Sequence, residues 1–259
     1  LHIYKPFYEY IREKQVDIPS EVQSFASQDD APADVDFMIS IGGDGAFLEC
    51  LMFLKRFDIP VIGLNSGRLG FLANISKEEI AEALDAIFTG NYELEQRTLL
   101  TLESDYKPFE RNNFALNDAT IQKTDTYLIS IDTFLNDEYL NTYWTDGIIL
   151  STPTGSTAYS LSVGGPIVLP GSHNFVIAPI ASHNLTVRPI VIPDDMEVRF
   201  EVKSRSGSFL VSVDNRTEIM DIKHHIFWVR KADFRLQMVK LPFNNYYSTL
   251  RNKLMWGLD

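Results

Sequence analysis

The sequence predicts two folded units: an α/β unit built on a Rossmann-like parallel sheet, followed by an all-β unit. Short apolar strands alternate with helical patterns over the first third of the chain. After about Tyr92 the apolar period shortens to two residues. The length of 259 residues suits one large domain or two modest ones. The expected division is 1–95 for the α/β unit and 96–239 for the β unit, with no Pro/Ser-rich linker at the join.

Taken in order, residues 33–41 end in the apolar stretch Phe37-Met38-Ile39-Ser40-Ile41, a strand broken by Gly42-Gly43-Asp44-Gly45. Phe47, Leu48, Leu51, Met52 and Leu54 then give a helix its apolar face. Residues 60–64 form a second strand, ended by Asn65-Ser66-Gly67. Ser76-Lys77-Glu78-Glu79 has the form of a capping box, and Ile80, Leu84, Ile87 and Phe88 follow at helical spacing. Gly90 stands where a left-handed helix end belongs. Strand, loop and helix, repeated in that order, make a parallel sheet with crossovers.

In the second unit Ile129, Ile131, Thr133 and Leu135 alternate with Ser130, Asp132 and Phe134. Asn136-Asp137 turns the chain, and Tyr139, Asn141 and Tyr143 resume the alternation. Val198, Phe200 and Val202 alternate likewise; Ser206-Gly207 turns the chain, and Phe209, Val211 and Val213 return. Residues 225–229 and 234–239 read as two further strands. Residues 247–256, with Leu250 and Leu254 four apart, read as a short helix.

Charge and cysteine usage exclude several classes. The formal net charge is −12, so no whole-protein basic field exists for nucleic acid or anionic lipid. Cys50 is the one cysteine, which forbids an intrachain disulfide and fits a reducing, cytoplasmic setting. No apolar run reaches the roughly 18 residues of a membrane span, and no signal-peptide pattern opens the chain. The chain begins at Leu1 rather than Met, which leaves room for sequence ahead of it.

Four segments carry chemistry. In Gly42-Gly43-Asp44-Gly45, between a strand and a helix, glycines allow close backbone approach and free amides favour phosphate oxygens. A carboxylate there serves as a general base or a Mg²⁺ contact, or it merely caps the helix. Asn65-Ser66-Gly67-Arg68-Leu69-Gly70-Phe71 lies at a parallel strand's end, the ligand-facing edge of such sheets; Arg68 suits a phosphate, and Phe71 suits the core or a base. Asn117-Asp118 at a strand end can donate and accept, as adenine and ribose edges require, or can simply turn. Asp146-Gly147 opens the strand Ile148-Ile149-Leu150, which runs into Ser151-Thr152-Pro153-Thr154-Gly155-Ser156-Thr157-Ala158-Tyr159-Ser160. That loop offers hydroxyls to ribose, phosphate or base, or else bonds them to its own backbone. Gly164-Gly165-Pro166 closes the segment.

The phosphate-binding G-x-x-x-x-G-K-[ST] motif, the dehydrogenase G-x-G-x-x-G motif and the protein-kinase signatures are all absent from the sequence. The five histidines and Cys50 show no zinc-site spacing, so no metal-ligand set is assigned.

Together, and in this order, these segments resemble the NAD kinases, which phosphorylate NAD to NADP at the expense of ATP. The resemblance runs from about residue 35 to the C-terminus and includes Arg188-Pro189 after Ala181-Ser182-His183. It implies an NAD kinase-like two-domain fold whose tail, about 240–259, returns to the first domain. It implies that Asp44 is the catalytic proton acceptor for the 2′-hydroxyl of the adenosine ribose. It implies that Asp44, Gly45, Phe71, Asn117, Asp118, Asp146, Thr157, Ala158, Tyr159, Ser160, Leu161 and Ser162 hold NAD, with Ala181 and His183 lining the same site. Gly42, Gly43, Gly45 and Arg68 then form the phosphate loop, with Mg²⁺ as the divalent cation. A homodimer or homotetramer is implied, because the family shares its site between subunits. Ala46 departs from the common Thr, and Trp144 stands where a basic residue is usual. The rival readings are a lipid kinase of the G-G-D-G type and a non-catalytic NAD(P) sensor.

Overall fold

The structure, a computed structural model, describes residues 1–255. Two compact units divide it: Leu1–Glu95 together with Gln237–Asp259, and Gln96–Leu236.

The first unit contains β1 (His2–Tyr4), α1 (Lys5–Glu13), β2 (Gln23–Phe25), β3 (Met38–Gly42), α2 (Asp44–Cys50), β4 (Val61–Asn65) and α3 (Ile80–Phe88). Strands β3 and β4 are parallel, in register from Met38 opposite Val61 to Gly42 opposite Asn65. Every residue of β4 is buried, so it reads as an apolar run, Val61 to Leu64, closed by the polar Asn65. Gly63 is required within it, because a Cβ there would lie 2.4 Å from the Leu72 carbonyl oxygen. Helix α3 starts where the Glu79 carboxylate accepts the Ser76 N–H at 2.8 Å, and the chain leaves it through Gly90 at φ +72°. Ile62, Leu64, Ile75, Ala83 and Ala86 form its core with Val239 and Leu241 of the returning tail. Helix α1, which the sequence reading does not assign, buries none of its residues fully; Tyr8 and Ile11, three apart on one face, are half-buried.

The second unit is formed by β5 (Glu93–Glu103), β6 (Phe114–Ala115), β7 (Asp118–Lys123), β8 (Ile129–Leu135), β9 (Glu138–Thr145), β10 (Gly147–Ser151), the short α4 (Tyr159–Ser162), β11 (Asn174–Ile180), β12 (Ile190–Pro193), β13 (Val198–Lys203), β14 (Ser208–Val213), β15 (Arg216–Asp221) and β16 (Ile226–Lys240). Strands β5 and β16 carry the chain across the division at 95/96 and 236/237. One sheet has the order β12-β11-β10-β7-β14-β15; in another, β13 pairs with β16 and β8, and β8 pairs with β9. Inward residues of both sheets share one core, including Ile131, Ile148, Phe175, Phe200, Phe209 and Phe227.

Two expectations change. Strands β13 and β14 do not pair across the Ser206-Gly207 turn: β13 joins β8 and β16, whereas β14 joins β7 and β15. The alternation of both strands is real, but each buries its apolar face toward the shared core from a different sheet. The two strands expected at 225–229 and 234–239 are one strand of 15 residues, β16. Its inward phase shifts by one residue in the charged middle: Phe227 and Val229 are buried before Arg230-Lys231, and Ala232, Leu236 and Met238 after them. The C-terminal helix, α5, spans Tyr246–Leu254, and Trp256 lies outside the described residues.

Candidate active site

Because β3 and β4 are parallel neighbours, their carboxyl ends present two loops side by side, Gly42-Gly43-Asp44-Gly45 and the segment 65–73. Gly42 has room only for hydrogen, since a Cβ there would lie 2.6 Å from the Ala46 Cβ. Asn65 organises the second loop. Its Nδ2 donates to the Arg68 and Ala73 carbonyls at 2.6 and 3.2 Å, and its Oδ1 accepts the Gly67 N–H at 2.8 Å.

Asp44 is the first residue of α2, yet its side chain does not cap that helix. It reaches the neighbouring loop instead. Oδ2 accepts the Phe71 N–H at 2.9 Å, while Oδ1 accepts those of Leu72 and Ala73 at 2.9 and 3.0 Å. The carboxylate is thereby fixed by three backbone donors. Oδ1 has both acceptor positions filled, and Oδ2 keeps one for another donor. Phe71, half-buried, packs its ring 6.2 Å from Tyr246, with the Lys253 ammonium 5.7 Å above its centroid. Arg68 stands exposed on the same loop.

In the second unit Asn117 and Asp118 lead into β7 and are gripped from two sides. The Asp214 carboxylate accepts the N–H groups of Leu116, Asn117 and Asp118 at 2.9, 2.8 and 3.3 Å. From the other side the Thr152 N–H donates to the Asn117 carbonyl at 2.9 Å. Gly155 lies against Asn117 so closely that a Cβ would come 2.0 Å from its carbonyl oxygen. Asp118 is buried and accepts the Thr120 hydroxyl at 2.9 Å. Burial, and then the charge of Asp214, push its carboxyl up to about 7. Such a group both donates and accepts near neutrality, which suits recognition of sugar hydroxyls. Burial also raises Asp214, against the three amides and the Arg216 guanidinium that favour its charged form.

The hydroxyl-rich segment is less of a loop than its composition suggests. It folds into a short 3₁₀ turn, Gly155–Thr157, and then α4. Thr152 donates its hydroxyl to the Leu116 carbonyl, Ser156 to the Pro153 carbonyl at 2.7 Å, and Thr157 to the Thr154 carbonyl at 3.2 Å. Those hydroxyls serve the backbone, as the local-bonding alternative holds. Ala158 and Leu161 are half-buried, and Tyr159 and Ser162 are exposed. Ser160 is fully buried, and among the described residues its hydroxyl has no hydrogen-bond partner.

A further group gathers at the opposite end of β10. The Lys123 ammonium meets the Asp146 carboxylate at 2.6 Å. The Asp146 N–H donates to Ile180 at 3.0 Å, next to Ala181, whose φ of +46° is left-handed. The His183 N–H donates to the Trp144 carbonyl at 2.7 Å, so Trp144, Asp146, Ala181 and His183 share this edge, with the Trp144 ring exposed. The β7–β10 register sets Asp118 opposite Ser151 and Gln122 opposite Gly147. Four residues of strand, roughly 13 Å, therefore separate the two groups. Tyr159 reaches toward the far one, its hydroxyl accepting the Gln122 amide at 2.9 Å. Asn65 and Gly70 lie in a segment the sequence singled out, though without a role of their own; Lys123 and Asp214 were not singled out. Of these two, Asp214 had a local sign, as the first residue of an Asp-Asn pair that follows the alternating strand 209–213.

Comparison with known proteins assigns the chain. The ATP-NAD kinase N-terminal domain model matches residues 9–92, and the ATP-NAD kinase C-terminal domain model matches residues 116–241. An NAD kinase of Cytophaga hutchinsonii is 45% identical over 99% of this chain and 88% of the relative. One from Flavobacterium johnsoniae is 44% identical over 98% of this chain and 86% of the relative. Among solved structures, a yeast NADH kinase complexed with NADH superposes with a TM-score of 0.86 at 25% identity, over 100% of this chain and 79% of that one. An Archaeoglobus fulgidus NAD kinase in complex with ATP gives 0.76 at 25% identity, over 96% and 97%. Fold and comparisons together define a two-domain phosphotransferase of nucleotide substrates. The chain belongs to the NAD kinase family. Among the described residues no helix is long and apolar enough to cross a membrane.

Proposed function

We propose that this chain transfers the terminal phosphoryl group of ATP to the 2′-hydroxyl of the adenosine ribose of NAD, giving NADP and ADP. The observation that carries the reading is the seat of Asp44, an acid immobilised by three amides with one acceptor position of Oδ2 left open. The ribose oxygen attacks the γ-phosphorus and its proton passes to Asp44 Oδ2. The new O2′–P bond replaces the bond to the β,γ-bridging oxygen, and ADP leaves. Phosphoryl transfer asks for alignment and charge stabilisation more than covalent chemistry, and a fixed carboxylate meets the first need.

Gly42, Gly43, Gly45 and Arg68 hold the donor phosphates. Asn117 and Asp118 hold the adenosine half of NAD, with Phe71 and residues 157–162 supporting the dinucleotide. Mg²⁺ usually keeps several waters and binds through substrate phosphates with few protein ligands, so it would be held here mainly by the nucleotide, the open position of Asp44 Oδ2 being taken by the ribose hydroxyl. It would supply neutralisation of phosphate charge against the protein's own −12. Asp146, Ala181 and His183, at the far end of β10, suit a site completed by a neighbouring subunit, and we assign a homodimer or homotetramer in the cytoplasm.

The test supplies ATP, Mg²⁺ and NAD and measures NADP. Turnover by the wild-type protein supports the reading and excludes a non-catalytic sensor. Binding of NADP without turnover, or phosphorylation of diacylglycerol in place of NAD, overturns it.

A further inference from the structure

We propose that Asp214 is a positioning residue for dinucleotide binding: its carboxylate sets the Asn117–Asp118 backbone against which the adenosine half of NAD is read. This rests on the function proposed above and adds a residue that the sequence motifs did not point to.

Asp214 and Asn215 form the turn of the β14–β15 hairpin, in which Val213 pairs with Arg216. Asp214 has φ +52°, a left-handed conformation that Asn adopts as readily as Asp. The turn itself therefore does not require an acid. What the acid adds is two oxygens that accept from three successive amides, those of residues 116–118, about a hundred residues earlier in the chain. The contact is mutual, since the Asp214 N–H donates to the Asp118 carbonyl at 2.9 Å. With all three amides held, the backbone of residues 116–118 is anchored, and both side chains proposed to meet NAD depart from it. Arg216, beside Asp214, donates to the Asn112 and Phe114 carbonyls just upstream and so steadies the entry to the same loop.

Asp214→Asn isolates this role. It keeps size and turn preference but turns an NH₂ toward backbone donors, leaving at least one amide without an acceptor. The expected result by calorimetric titration is NAD affinity weakened tenfold or more with ATP affinity changed less than twofold. The control is Val213→Ala, which opens a cavity in the core beside the clamp yet keeps its oxygens; it should melt at lower temperature with NAD affinity within twofold of wild type. The proposal fails if Asp214→Asn binds NAD within twofold of wild type, or if Val213→Ala loses as much NAD affinity. Should Asp214→Asn not fold, amide exchange in the ligand-free wild type decides: slow exchange at 116–118 supports the clamp, and exchange at the free-loop rate overturns it. A wild-type protein that makes no NADP sinks the functional reading itself; an Asp214→Asn that binds NAD within twofold of wild type sinks only this inference.

Discussion

A methyl group at Gly70 would sit 2.0 Å from the Asp44 Oδ1 atom, so the carboxylate occupies the space that any larger residue at 70 would need. Gly70 also donates its N–H to Ala73 at 2.9 Å, closing the turn whose amides hold the carboxylate. Gly70→Ala must therefore displace Asp44 or open the loop. Overpacking of this kind costs about 1–3 kcal/mol. A displaced general base forfeits about 10²–10⁴ in rate. Thermal melting and the rate of NADP formation should show a folded protein with turnover down at least a hundredfold.

Gly155 has the same relation to Asn117, with a Cβ placed 2.0 Å from its carbonyl oxygen. Gly155→Ala should raise the KM for NAD about tenfold or more while leaving the KM for ATP nearly unchanged. Equal increases for both substrates would mean that the loop does not serve the dinucleotide alone.

Ser156 tests whether the hydroxyl run is scaffold or ligand contact. Its hydroxyl donates to the Pro153 carbonyl at 2.7 Å and accepts the Val168 N–H at 2.9 Å, fully buried. Removing it in Ser156→Ala leaves a buried amide unpaired, at a cost of about 1–3 kcal/mol. The melting temperature should fall by several degrees with the KM for NAD within twofold. A large rise in KM at unchanged stability would assign the hydroxyl to the ligand.

Asp118 links stability to pH. Its carboxyl stands near 7 in the folded chain against 3.8 ordinarily, so folding favours the protonated form. Native stability is then greatest below the ordinary value and is lost as pH rises from about 4 to about 7. Asp118→Asn removes that loss. The variant should gain on wild type across this interval, by at most about 4 kcal/mol above neutrality. Melts at acid and mildly alkaline pH check it; an offset independent of pH would contradict the assigned burial.

Local rules made much of this legible. The Asn136-Asp137 turn has both residues at positive φ, 48° and 65°, and Ser76 with Glu79 starts α3 as its pattern predicts. Misreadings arose where the deciding partner is distant. Arg230, Lys231 and Asp233 look like a break until Ala232 is seen to point inward. The pairing of β13 with β8 rather than β14 is set by a core shared between two sheets, which no local period reveals. The glycines around Asp44 and the pair Asn117-Asp118 stand out in the sequence because their chemistry is local. The clamps that hold them do not, since the amides of residues 71–73 and the carboxylate of Asp214 are distant in sequence from what they hold.

The most direct measurement compares initial rates of NADP formation from ATP and NAD by the wild-type protein and by Asp44→Asn, each shown by melting to be folded. Asn cannot take the ribose proton and turns an NH₂ toward the amides of residues 71–73, so the rate should fall by about 10²–10⁴-fold or more. A folded Asp44→Asn protein turning over within twofold of wild type would contradict the account.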